Sequence, residues 1–292
     1  MTTQEPAVPL PPDIAAVVAR ALEEDVGAGD VTAALIAPAT RARASVVAKE
    51  DAVLCGTAWF DEVFRRLEPS ITVRWRCRDG DDVRSGTTVC ELEGPARQIL
   101  TGERTALNFL QTLSGTATVA RRYAQALAGT GCRVLDTRKT VPGLRRAQKY
   151  AVRVGGGTNH RMGLYDGVLI KENHIAAAGG VAAAVAAARR STPAIPIEVE
   201  VENLDELREA LDTDADRIML DDFSLEDMRR AVELRNRHPQ RRKELEASGS
   251  VSLDRLRAIA ETGVDFVSVG ALTKHVTAID FSMRFHPPAS PP

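Results

Sequence analysis

The chain has 292 residues, with 38 Lys and Arg against 40 Asp and Glu, and a formal net charge of −2. That length suits one large α/β domain or a barrel with a smaller companion, and the slightly acidic balance argues against nucleic acid as the main partner. No apolar run approaches the roughly 20 residues that span a bilayer, so no membrane segment is expected.

The opening MTTQEPAVPLPPD is a Pro-rich arm without the basic and apolar blocks of a secretory signal. Cys55, Cys77, Cys90 and Cys132 show no metal-ligand spacing and read as reduced thiols of a cytoplasmic protein. A helix is expected near Asp13–Glu24, then a turn at EDVGAGDVT. RARASVVAKE, ITVRWRC and TTVCELEG are strand candidates, interrupted by a helix at Ala58–Leu67, which together predict a mixed α/β domain. Gln98–Leu127 is helical, with Leu100, Leu107 and Leu110 on one side and Gly115 as a candidate break.

Beyond Gly131 short apolar runs alternate with helical stretches: RVLDT, DGVLIK, IPIEVEVE, DRIMLDD, KELEAS and DFVSVGA. Six β-runs separated by helices predict parallel βα units. They end in Asp136, Lys171, Glu202, Asp221, Ser248 and Gly270. Chemically useful groups at every strand end favour a barrel rim over the single switch point of an open sheet. The fold class read here is α/β, an incomplete barrel of about six strands plus an N-terminal α/β sandwich. The expected division is 1–113 for the sandwich, 114–272 for the barrel, with 273–292 packing on the sandwich.

Between Arg133 and Lys171 stand nine Lys and Arg and two Asp, a local charge of about +7 in a chain that is otherwise acidic. Such a patch suits a small polyanion. Arg138 and Lys139, with Thr137 and Thr140 beside them, alone read as a solvated loop; near His160, Arg161 and Lys171 they read as an anion clamp. GGGTNHR (Gly155–Arg161) has neither Walker A nor dinucleotide-fingerprint spacing, and reads as a hinge presenting Asn159, His160 and Arg161. Lys171 suits anion binding, Schiff-base chemistry or plain snorkelling, and the neighbouring cations favour the first.

Glu198, Glu200 and Glu202 alternate with valines and share one side of a strand. In a parallel barrel they would point inward and need cations or a metal as partners. With Asp221 at the same rim they form an oxygen-donor set suited to Mg²⁺. Asp222 reads more simply as a helix cap. Ser248, Gly249 and Ser250, and Val269, Gly270 and Ala271, close the last two strands with small residues where phosphate loops of βα barrels lie. Nothing local distinguishes Arg104 from a surface residue.

Nearly the whole chain, from EDVGAGDVT through GERTALNFLQTLSGTAT, LDTRKTVPGLR, KYAVRVGGGTNHRMGLYDGVLIKENHI, EVEVEN, MLDD, EASGS and SVGALTKH, resembles the quinolinate phosphoribosyltransferase family. The resemblance implies transfer of ribose 5-phosphate from phosphoribosyl pyrophosphate to quinolinate, with loss of pyrophosphate and CO₂, in NAD biosynthesis. It implies homodimers, or higher oligomers, in which Arg104 reaches the partner's site. By the same resemblance Thr137, Arg138, Lys139, His160, Arg161 and Lys171 hold quinolinate or the donor, Lys139 and Lys171 being closest to the chemistry. Glu200 and Asp221 face the ribose and Mg²⁺, and the two small-residue loops take the 5′-phosphate. The rival readings are a phosphoribosyltransferase for another carboxylated ring, a Schiff-base aldolase using Lys171, and a non-catalytic phosphometabolite-binding module.

Overall fold

A computed structural model describes residues 8–239 and 242–286, so Pro6 of the expected arm and the tail beyond 286 lie outside the described residues. In chain order the elements are α1 (Ile14–Val26), β1 (Arg41–Ala48), β2 (Ala52–Val53), α2 (Thr57–Leu67), β3 (Thr72–Trp75), β4 (Asp82–Val83), β5 (Thr88–Pro95) and α3 (Ala96–Ala126). There follow β6 (Arg133–Leu135), α4 (Arg145–Val154), β7 (Val168–Ile170), α5 (Glu172–Ala178), α6 (Val181–Ser191), β8 (Ile197–Val201), α7 (Leu204–Leu211) and β9 (Arg217–Asp221). The last are α8 (Leu225–Arg237), β10 (Glu244–Ser248), α9 (Leu253–Ala260), β11 (Phe266–Ser268), α10 (Ala271–Lys274) and β12 (Phe281–His286).

Two compact units result. One takes the chain up to Arg121, Thr140–Gly156 and the chain from Leu272; the other takes Arg122–Lys139 and Gly157–Ala271. This differs from the division expected at 113/114, chiefly because α4 buries Ala147, Tyr150 and Ala151 in the first unit's core. There the Tyr150 ring lies 5.4 Å from that of Trp59.

The first unit is built on an antiparallel sheet in the order β12-β1-β5-β3. Helix α2 places Trp59, Phe60, Val63 and Phe64 on one stripe, and all four are buried. Phe60 packs against Phe64 at 5.1 Å and against Trp75 at 5.2 Å between ring centroids. Strand β12 pairs with β1 from Arg43↔His286 to Ala48↔Phe281, so the end of the described chain forms the sheet's edge. Helix α3 runs unbroken through Gly115, contrary to the expected interruption. A Cβ at Gly115 would stand 2.1 Å from the Thr277 carbonyl oxygen, so this glycine serves a close backbone approach, not a break.

The second unit holds the six expected strands as a parallel sheet in the order β6-β11-β10-β9-β8-β7. All five residues of β8 are buried, with Ile197, Val199 and Val201 on one face and Glu198 and Glu200 on the other. On the free side of β6, Thr158 makes an isolated parallel bridge with Leu135. Thr158, just past the glycine run, thereby docks as backbone along the first strand of the sheet.

Candidate active site

Asp136, immediately after β6, is fully buried and organises the 158–161 turn. Its carboxylate accepts from Asn159 Nδ2 at 2.6 Å and from the His160 backbone N–H at 2.9 Å. The turn is tied to β6 a second time: the Thr158 N–H donates to Val134 O at 2.9 Å, and the Asp136 N–H to Thr158 O at 3.1 Å. Thr137 Oγ1 accepts from the Lys139 N–H at 3.0 Å. A Cβ on Gly270 would come within 3.1 Å of Lys139 Cδ and 3.6 Å of Thr137 Oγ1, so Thr137, Lys139 and Gly270 converge at one place on the rim.

Arg161 donates through Nη1 to Gly167 O at 3.0 Å. Burial, and then the neighbouring Arg138 guanidinium, hold Arg161 below its ordinary affinity for a proton, while Glu198 and Asp166 act the other way. Two guanidinium groups near enough to repel each other in a partly desolvated place have the chemistry to pair with a multiply charged anion. Lys171, just past β7, ion-pairs with Glu200 Oε2.

The same unit also buries an acidic pair. Glu198 and Glu246 are 7% and 0% exposed. His160 Nε2 lies 2.7 Å from Glu198 Oε2 and 3.6 Å from Glu246 Oε2. Arg217 Nη1 reaches Glu246 Oε2 at 3.2 Å, and its guanidinium stacks 4.1 Å from the Phe266 ring centroid. Burial, with Glu198 adding to it, pushes the Glu246 carboxyl up to about 8.

At the rim, Asp221 stands in register with Ser248 across β9 and β10. Asp222 is the only non-glycine with a left-handed φ (51°) among the described residues. Its N–H donates to Ser248 O at 3.1 Å, and its Oδ1 accepts from the Ser250 N–H at 3.3 Å. It therefore shapes the 248–250 loop. The expected cap role falls to Ser224, whose Oγ accepts from the Asp227 N–H of α8 at 3.0 Å.

The structure thus groups Thr137, Lys139 and Gly270; Arg138 and Arg161; Lys171 and Glu200; and Asp221 with Ser248. It leaves others aside. Glu202 lies past the end of β8, exposed, with its N–H on Glu206 Oε2 at 2.9 Å, so the strand carries two inward carboxylates and not three. Val269 is buried and its N–H is committed to Leu135 O at 2.9 Å, so it packs the loop without offering a donor. Ala271 opens α10. Arg104 is exposed on α3, in the first unit. Sequence reasoning missed Arg217 and Glu246, although Glu244 and Glu246 in KELEAS show the same alternation as EVEVE.

The chain matches the family description "Quinolinate phosphoribosyl transferase, N-terminal domain" over residues 30–114 and "Quinolinate phosphoribosyl transferase, C-terminal domain" over residues 116–284. It is 42% identical over 261 residues to a probable nicotinate-nucleotide pyrophosphorylase [carboxylating] of Bacillus subtilis (strain 168), covering 89% of each chain. To the protein of the same description from Synechocystis it is 44% identical over 265 residues, covering 90% of this chain and 89% of the relative. The solved nicotinate-nucleotide pyrophosphorylase of Francisella tularensis superposes with a TM-score of 0.91 at 45% identity, over 97% of this chain and all of the other. Motifs, fold and similarity agree: the chain belongs to the quinolinate phosphoribosyl transferase family.

Proposed function

We propose that the protein transfers the ribose 5-phosphate group of phosphoribosyl pyrophosphate to the ring nitrogen of quinolinate, releasing pyrophosphate and CO₂ and leaving nicotinate mononucleotide. The observation that carries this reading is the partly buried Arg161 guanidinium, tied to Gly167 O and burdened by the charge of Arg138, a cost that a dicarboxylate would offset. Lys139, against Gly270, and Lys171, beyond β7, extend the positive layer that a pyrophosphorylated sugar requires.

The ring nitrogen attacks C1 of the ribose as the C1–oxygen bond to pyrophosphate breaks. Glu200, fixed by Lys171, and Asp221 place negative charge where the sugar becomes positive. The nitrogen, now quaternary, stabilises by its positive charge the carbanion left at C2 when the 2-carboxylate departs as CO₂, and a proton then adds to that carbon. Orientation of the two carboxylates governs this step more than any general base.

Mg²⁺ belongs to the same reading. Glu200 and Asp221 are hard oxygen donors on neighbouring strands, a set that fits an ion binding one or two carboxylates together with substrate phosphates. When bound it would supply charge stabilisation to the departing pyrophosphate. We also place the working form as a homodimer in the cytoplasm, with the exposed Arg104 completing the partner's site. That no described helix is long and apolar enough to cross a membrane accords with this.

The aldolase alternative loses ground, because Lys171 is held in an ion pair and not set among apolar groups. The test is incubation with quinolinate, phosphoribosyl pyrophosphate and Mg²⁺, following nicotinate mononucleotide and CO₂ together, with nicotinate as control. Both products from quinolinate and little from nicotinate are expected; neither product from folded protein overturns the reading.

A further inference from the structure

His160 stands in the cationic stretch and, by family resemblance, among the groups that hold the substrates. Its ring is turned elsewhere. Nδ1 accepts the backbone N–H of Arg161 at 2.8 Å, while Nε2 meets Glu198 Oε2 at 2.7 Å. A ring nitrogen that accepts a hydrogen bond carries no proton, so the single proton of a neutral imidazole lies on Nε2 and is donated to Glu198.

Both ends of this turn are anchored in the unit's interior. Asp136 takes the His160 backbone N–H, and Glu198, 7% exposed, takes the ring. The next residue is the substrate-facing Arg161, whose N–H rests on the ring itself. Rotation or loss of the imidazole therefore releases the Arg161 backbone. A divalent cation among His160, Glu198 and Glu246, whose donor atoms lie within 4.8 Å of one another, fits less well. Arg217 already contacts Glu246, and a dication added to Arg217 would outweigh two carboxylates.

We infer that His160 is a positioning residue: a neutral imidazole protonated on Nε2, hung from Glu198, that sets the backbone of Arg161 and does not contact the substrate as a cation. The role in quinolinate binding rests on the function proposed above; the state of the ring does not.

The experiment uses the full chain labelled with ¹⁵N-histidine. The His160 signals are identified as those missing from His160→Gln, and two-bond ¹H–¹⁵N couplings at pH 7 report which nitrogen bears the proton. The Nε2–H neutral pattern is expected; an imidazolium or Nδ1–H pattern overturns the inference whether or not the protein is active. In kinetics, His160→Ala should raise KM for quinolinate about tenfold with a smaller change in kcat, and His160→Gln, which keeps a neutral donor toward Glu198, should recover most of it. Failure of Gln to improve on Ala would mark His160 as a substrate-binding cation and overturn the positioning role. If wild-type protein forms no nicotinate mononucleotide, the proposed function falls while the couplings still decide the ring's state.

Discussion

At Arg161 two unfavourable conditions meet: the guanidinium is drawn partly out of water and set beside Arg138. On the proposed function a bound dicarboxylate would offset both, and charge-assisted pairs of this kind are the strong ones. Arg161→Ala should therefore lower kcat/KM for quinolinate at least about a hundredfold while the circular dichroism spectrum stays unchanged. Near-normal kinetics in a folded variant would displace Arg161 from the site. Glu246 offers a prediction of a different kind. Burial raises its carboxyl to about 8 from an ordinary 4.5, so between those values the folded chain holds a proton that the unfolded chain has lost. The stability owed to this group thus falls as pH rises through that window and levels off above it. Glu246→Gln, which cannot ionise, should show a smaller fall in Tm between pH 5 and pH 8 than the parent protein. Equal slopes would place the proton on another group.

Among the elements, α3 and the β10–α9 turn both depend on glycines that a neighbouring oxygen approaches closely. Gly115 lets the Thr277 carbonyl approach the helix, and backbone cannot swing aside as a side chain can. Gly115→Ala is expected to destabilise the protein by about 1–3 kcal/mol, read as a lower midpoint in urea with the slope unchanged. Gly249 has φ +120°, and a Cβ there would fall 2.1 Å from Asp222 Oδ1. Gly249→Ala should displace the turn that Asp222 braces and raise KM for phosphoribosyl pyrophosphate more than KM for quinolinate. An equal rise in both would separate this loop from the donor's phosphate. Apolar periodicity makes α3 legible in the sequence, and the same periodicity makes Gly115 look like an interruption. Its true partner lies 162 positions further along the chain, beyond the reach of a local pattern.

For the whole molecule, the proposal that dimers share their sites has a direct test. Arg104→Ala and Lys171→Ala protein, each inactive alone, should regain about a quarter of wild-type activity when subunits are mixed and allowed to exchange, because half of the dimers then carry one intact site. No recovery despite demonstrated exchange would place both residues in a site built from one chain.

The sequence alone determined the six parallel strands, the helical character of the 98–127 stretch, the cationic stretch and the inward direction of Glu198 and Glu200. All of these follow from local period, composition and βα alternation. The residues that define the family are legible for the same reason, being contiguous blocks such as LDTRKT and GGGTNHR. Only the tertiary structure decided what those groups meet. Period two turns Glu198 inward, but pairing of β8 with β9 and of β9 with β10 brings Arg217 and Glu246 to it, and Asp136 holds the turn that delivers His160. It likewise assigned α4 to the first unit and gave Asp222 its bracing turn in place of a helix cap. Hydrophobic period is a property of neighbours in the chain, whereas the partner of a buried charge is a property of strands brought together across dozens of residues.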